Sequence, residues 1–202
     1  MIFSKSITEI IPQRFSCRTY LEKPIEKEKL RALMDEYLEF RRRVDCFLEA
    51  YFGLVCDRTC YRSRLSACCS RDGIVTFFAD MVINLLISGK AEIDALVRVL
   101  RIDNTGFKCV YLGVDGCLWR IKPIVCQMFL CEPAKTKVFN EHPEAAVEWQ
   151  ELQRQRKLFT WPDRPVLFDM IETCFMEAGC ASPLMYLHTS PGLLRVKKKA
   201  GL

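Results

Sequence analysis

Apolar and polar positions alternate along most of this chain with a helical period. From Ile25 onward, Leu30, Leu33, Met34, Tyr37, Phe40, Val44, Phe47, Leu48 and Tyr51 recur at steps of three and four, giving one apolar stripe. Pro24 stands before that helix and Gly53 supplies a stop signal. Residues 74–87 form the most apolar run, which contains Asp80 and Asn84 and predicts a buried helix. Ser88-Gly89 separates it from a second helix over 91–101. Pro143 opens a polar helix through Lys157, and residues 166–177 predict a last one with Gly179 behind it. Two short aromatic and β-branched runs, 107–112 and 117–121, flank Gly113-Val114-Asp115-Gly116 and predict a hairpin. The fold class expected is mainly α with a short β-hairpin. An N-terminal arm and amphipathic helix (1–53) would join residues 54–202 in one compact unit.

Composition adds one strong feature. A length of 202 residues suits one domain, and 50% hydrophobic residues with 13 Phe are enough for a sizeable core. No run reaches the roughly 18 uninterrupted apolar residues of a membrane helix. The N-terminus has polar residues where a signal peptide needs its apolar segment. The expected location is the cytoplasm, without membrane contact. Twelve cysteines then need a reason, and a reducing cytosol makes metal ligation a better one than a disulfide framework. The formal charge of +5 belongs to the all-thiol chain. Eight thiolates around two divalent ions would bring it to about +1, so it argues little for a polyanionic partner.

Eight of the twelve cysteines fall into two groups. Cys56, Cys60, Cys68 and Cys69 form the first; Cys109, Cys117, Cys126 and Cys131 form the second, within CVYLGVDGCLWRIKPIVCQMFLC. Cys56 and Cys60 are four apart and would share one face of a helical turn. Adjacent Cys68 and Cys69 diverge on any regular backbone. They meet at one ion only in a distorted loop, or else serve two ions or two corners of a cluster. The hairpin would present Cys109 and Cys117 from its two strands, with backbone N–H groups available to the sulfurs. Pro123 suits the first turn of a helix carrying Cys126 and Cys131 as far as Pro133. Five residues turn through about 500°, leaving those two thiols roughly 140° apart on a regular helix. Either they serve different centres or the helix breaks before Cys131. Thiolates suit zinc, copper(I) and iron–sulfur clusters, and spacing does not choose among these. A role as a small buried core residue explains single cysteines such as Cys46, but explains two groups of four poorly. The cofactor expected is zinc or iron, the latter also as an iron–sulfur cluster, with the helices arranged around this cysteine-ligated metal centre.

The second group also resembles a known family. A cysteine, a Leu-containing turn with Asp-Gly, a second cysteine, an aromatic, a basic-Pro pair and a third cysteine are similar to the signature of YkgJ-type cysteine-cluster proteins. Members usually carry a Cys-Cys pair ahead of it, as Cys68-Cys69 stand here. The family is described as zinc- or iron-chelating, so the resemblance implies a metal site rather than a reaction. This chain departs from the pattern in two places. Seven residues separate Cys60 from Cys68, where relatives have a tighter approach to the pair. Lys122-Pro123-Ile124-Val125-Cys126-Gln127 stands where members commonly show Arg-Pro-x-x-Cys-Arg, so contacts made by those arginines do not carry over. Residues 14–33 resemble the opening of flavin nitroreductases, in which Arg14, Ser16 and Arg18 would contact the flavin phosphate. The Pro-Ser…Asn-x-Gln-Pro segment of that family is absent downstream. The reading adopted is a basic arm leading into a helix, and FMN is not expected.

No Ser-His-Asp set, paired carboxylates or phosphate-cradling loop can be argued from spacing, so no enzyme activity is assigned. His142 and His188 are the only histidines and are expected at the surface. Cys174 and Cys180 are expected as core or unpaired thiols, and Arg41-Arg42-Arg43 as a solvated helix face. The basic tail with Lys197, Lys198 and Lys199 lacks the aromatic interleaving of a nucleic-acid surface, which argues against that partner. The function expected is a metal-binding protein without catalysis of its own. The alternative is an iron–sulfur redox or electron-transfer protein, or a redox accessory protein.

Overall fold

The computed structural model describes residues 24–58, 62, 69–70, 76–160, 166–182 and 184–185. Arg14, Ser16, Arg18, Cys60, Cys68, His188 and the basic tail lie outside them. The N-terminal stripe folds as predicted and then goes further. Helix α1 (Pro24–Phe47) runs into a π-helical turn (Leu48–Phe52) and a final turn, α2 (Gly53–Cys56). Gly53 does not stop it, since its φ of −51° and ψ of −56° are helical. The widened turn has a physical reason. Phe47 and Phe52 are five apart, about 140° around a regular α-helix, whereas a π turn closes every five residues and brings both to one face. Both rings are buried, 5.9 Å apart, and Phe47 stacks on Trp149 at 5.5 Å.

The apolar run that follows becomes helical later than its hydropathy predicts. Phe77 is still extended (ψ 158°), and α3 spans Phe78–Ile87, followed by α4 (Lys90–Val99). A hairpin of β1 (Leu112–Gly113) and β2 (Gly116–Cys117) leads to the single turn α5 (Ile124–Gln127). Helices α6 (Glu132–Glu141), α7 (Pro143–Thr160) and α8 (Leu167–Glu177) complete the order. The described chain is therefore mainly helical with a short antiparallel hairpin, as the pattern predicts. No helix among the described residues is long and apolar enough to cross a membrane.

The main core has an aromatic centre. Tyr37 and Phe40 of α1, Phe159 of α7 and Phe168 of α8 meet with ring centroids 5.2 to 5.6 Å apart. Leu30 and Met34 of α1, Val82 and Ile83 of α3, and Ile171 and Phe175 of α8 surround it. A second, smaller cluster joins Met81 of α3 and Leu96 of α4 to Tyr111 and Trp119. Helix α3 thus faces apolar neighbours on two sides, which explains a sequence apolar nearly all round.

The two polar residues in α3 are buried with it, and both reach the same stretch of backbone. Asn84 Nδ2 donates to the Ile121 carbonyl (2.9 Å) while its Oδ1 accepts the Ile121 N–H (3.0 Å). Asp80 accepts the Phe77 N–H at the start of α3 (3.0 Å) and the Ile124 N–H at the start of α5 (3.1 Å). From α1, Arg41 donates to the Lys122 carbonyl and to the Tyr37 hydroxyl (2.7 Å). Segment 121–124 is held by three buried side chains instead of a sheet. Arg41 is 1% exposed, which corrects the reading of Arg41, Arg42 and Arg43 as one solvated face. Arg42 and Arg43 are exposed, but position 41 follows Tyr37 by four and shares its face. Cys46 is corrected in the other direction: it is exposed, because Val44 and Phe47 carry the stripe inward.

Two stability predictions follow from this clamp. Asn84→Ala strips the buried Ile121 N–H and C=O of their partner and should cost roughly 2–5 kcal/mol, read from urea denaturation. A loss below about 1 kcal/mol would mean that water replaces the amide. Asp80 carries a pH signature. Burial raises its pKa to about 6, against the opposing pull of the two backbone N–H groups and the Arg41 charge. The folded state holds this proton more tightly than the unfolded state does. The stability it contributes is therefore complete below the ordinary value of 3.8 and is lost as pH rises through about 6. Wild-type stability minus that of Asp80→Asn should fall across this window and flatten above it. A difference independent of pH would contradict the assignment.

Candidate metal centre

The hairpin is shorter than the hydropathy predicts. Leu112 pairs with Cys117 and Gly113 with Gly116, and Leu118 donates to the Tyr111 carbonyl (2.8 Å). Val114 and Asp115 make a two-residue loop, closed by Gly116 at φ +118°, where a side chain would be strained. Residues 107–111 do not form a strand. The Leu112 N–H donates back to the Cys109 carbonyl (3.1 Å) and closes a turn, while Lys108 bridges to Ser70. Cys109 therefore comes from a turn and Cys117 from β2, rather than both from strands. The bridge lays the first cysteine group against the second, since the Cys109 N–H donates to the Cys69 carbonyl (2.8 Å).

Both sulfurs accept a backbone N–H from the residue two positions on. The Tyr111 N–H reaches Cys109 Sγ at 3.4 Å, and the Trp119 N–H bonds Cys117. The chain repeats a Cys-x-aromatic unit here, and the two buried rings meet edge to face at 5.2 Å. Cys126 is carried by α5, which ends after one turn at Met128 (φ −90°, ψ 16°). The chain then extends through Cys131 (ψ 150°), the cap of α6, and Pro133 lies in the first turn of α6 instead of ending a helix. The break before Cys131 resolves the angular conflict that one continuous helix would impose.

A cleft of about 730 Å³ is lined by Cys56, Cys69, Cys109, Cys117 and Cys126. Cys131 packs against the main core and is not among its lining residues. Cys109 lies within electrostatic reach of Cys117, Cys69 and Cys126, and Cys117 within reach of Cys69 and Cys126. Burial pushes the Cys109 thiol up to about 11, against the Tyr111 N–H, and the neighbouring sulfurs push the same way. Burial also raises Cys117, opposed by the Trp119 N–H and the Lys122 ammonium. Among the described residues, no group of three or more His, Cys, Asp or Glu side chains is placed to hold a metal ion. The donor chemistry fits a soft cation even so, because these are half-buried thiols and two of them already receive N–H bonds at sulfur.

The remaining candidates lie elsewhere. Cys174 is half-buried on α8. Cys180 is 3% exposed and disulfide-bonded, so it is core but not an unpaired thiol. His142 is exposed beside Glu144 (3.2 Å), as expected. In the sequence Gln127 stands out only as a departure from the signature, and Asp45 has no assigned role. Gln127 Nε2 donates to the Asp45 carboxylate, so an amide makes a carboxylate contact at the position where the family pattern has arginine. Partial loss of hydration raises the Asp45 pKa, while Arg41 and Lys122 lower it. Gln127 could be noticed from its place after Cys126, but Asp45 lies 82 positions away and only the fold joins them.

No protein-family model, curated protein or solved structure matches this chain.

The thiols should differ sharply in reactivity. In metal-depleted protein near neutral pH, iodoacetamide should modify exposed Cys46 about tenfold or more faster than Cys109 or Cys117, whose thiols burial keeps protonated. Peptide mass mapping reads the order. Equal rates would show that the two sulfurs are open to solvent.

Proposed function

We propose that this chain is a metal-binding protein whose centre is built on Cys69, Cys109, Cys117 and Cys126. Cys56 also lines the cleft, Cys60 and Cys68 lie outside the described residues, and the bound group is zinc or iron, the latter also as an iron–sulfur cluster. One observation carries the reading: cysteines from two separate sequence groups meet at one cleft, and two of them accept backbone N–H bonds. Such bonds favour the thiolate, the form that ligates. The likeness to the YkgJ-type signature points the same way. In this reading the second group supplies three donors, since Cys131 is not among the residues that line the cleft.

The chain's own residues have definite tasks in this reading. Arg41, Asp80 and Asn84 fix segment 121–124 and with it the placement of Cys117 and Cys126 on either side. Tyr111 and Trp119 keep one side of the sulfurs apolar. The Lys122 ammonium offsets thiolate charge beside Cys117. A bound soft cation would supply a cross-link between the two cysteine groups. The role proposed is binding. Electron transfer at an iron–sulfur cluster is the second reading. It is favoured by the paired N–H···S bonds, because hydrogen bonds to sulfur tune reduction potential.

Anaerobic purification followed by elemental analysis and a visible spectrum tests both readings. About one or two zinc ions without colour supports a structural or storage centre, and iron with acid-labile sulfide and visible absorbance supports the second reading. Cys117→Ser and Cys126→Ser should each lower the metal content by about half or more, while Cys46→Ser leaves it intact. A wild-type protein without metal, or a content unchanged in both site variants, would sink the proposal.

A further inference from the structure

One buried carboxylate serves the starts of two helices. Asp80 Oδ2 accepts the Phe77 N–H (3.0 Å), the amide that opens α3. Its Oδ1 accepts the Ile124 N–H (3.1 Å), the first amide of α5. The opening N–H groups of a helix have no partner within it, so each needs one from outside. Pro123, which precedes α5, provides no side-chain cap. That single turn, which carries Cys126, takes its cap from Asp80.

A carboxylate accepts at both oxygens, whereas a carboxylic acid turns one of them into a donor. An N–H that faces the new O–H loses its acceptor. A protonated Asp80 therefore serves one helix start and not both. The Phe77 bond is local to α3, whereas the Ile124 bond spans 44 residues and ties two elements together. The long-range bond is the one that gives way.

The surroundings set where the proton arrives. Asp80 is 2% exposed, and burial raises its pKa to about 6 against the pull of the Arg41 charge. Tyr37, beside Arg41 on α1, stays neutral because burial holds its hydroxyl well above the ordinary range. Helix α8, which packs on α3 through Phe175 and Phe78, carries Asp169, bonded to the Val166 N–H (3.1 Å), and buried Glu172. Lys122, on the clamped segment, is exposed.

We propose that Asp80 is a proton-operated latch on the cleft: charged, it holds the start of α5 and with it Cys126; protonated, it lets that turn loosen. For a metal held at the thiols, a consequence that rests on the reading above, the latch gives retention at neutral pH and faster release in mild acid.

Asp80→Asn puts one acceptor and one donor where the acid would, and so imitates the protonated form at any pH. Hydrogen exchange on the metal-free whole chain, expressed as protection over the free-peptide rate, reads the latch. Protection of residues 124–128 should be about tenfold lower in Asp80→Asn than in wild type at about pH 7.5, and the two should agree at about pH 5. Labelling of Cys126 by a pyridyl disulfide should show the same pattern, with both proteins compared at one pH so that thiol ionisation cancels. The latch is overturned if the two proteins agree at about pH 7.5, if wild-type protection is the same at both pH values, or if residues 77–80 loosen while 124–128 do not. In zinc-loaded protein at about pH 7.5, the variant should lose zinc to a chelator about tenfold faster. A wild type that holds no zinc removes the metal reading and leaves exchange and labelling to decide the latch. Zinc that both proteins hold and release alike overturns the link from latch to metal.

Discussion

Backbone that has no sheet to pair with must find its hydrogen-bond partners among side chains. Residues 121–124 find theirs in Arg41, Asp80 and Asn84. The cleft depends on this arrangement. Cys117 ends β2 just before the segment and Cys126 sits on α5 just after it, so the clamp sets how far apart those sulfurs stand. The three side chains belong to α1 and α3, whose other faces fill the main core. Rigidity built from Leu, Phe and Ile packing thereby reaches a loop that has little packing of its own. A buried polar network of this kind is stable only when its members are satisfied. Here the Arg41 Nε is the one atom of the three side chains without a partner among the described residues.

The hairpin could not stand alone. Strands of two residues each are far below what an isolated hairpin needs. It is held instead by Tyr111 and Trp119 packing on Met81 and Leu96, and by the bridge from Lys108 to Ser70. Many small zinc modules rely on the metal for their fold. This chain places its cysteine loops on a helical core with its own aromatic centre, so the loops have support before any ligand arrives.

The sequence made the helices legible because their stripes are long. From Leu30 through Phe47 the apolar step of three or four repeats five times in succession, and the structure follows it. Short-range signals served less well. The aromatic run 107–112 has strand composition, yet a turn between Cys109 and Leu112 breaks it, and nothing local announces that turn. Gly53 is a sound stop signal in isolation, but Phe52 must stay in the core, and that tertiary demand carries the helix past it. Arg41 misled for the reverse reason. A charge triplet looks solvated until a carbonyl 81 positions away proves to need a donor. Cys109, Cys117 and Cys126, one group in the sequence, line one cleft, whereas the Gln127–Asp45 contact joins positions that share no local pattern and was not readable.

The span of the clamp also sets an order in time. Its bonds close loops of 81, 44 and 37 residues, and all three end on the same few amides and carbonyls. Until residues 121–124 have left the ribosome, Arg41, Asp80 and Asn84 keep only their local bonds, to the Tyr37 hydroxyl, the Phe77 N–H and the Asp80 carbonyl. Docking α1 against α3 at that stage would bury them partly unmet, so the early helices are better off apart. A segment from the second half of the chain thus completes the interior of the first half. A translation product truncated before residue 121 lacks the backbone that meets Arg41, Asp80 and Asn84 together with the α7 and α8 side chains of the main core.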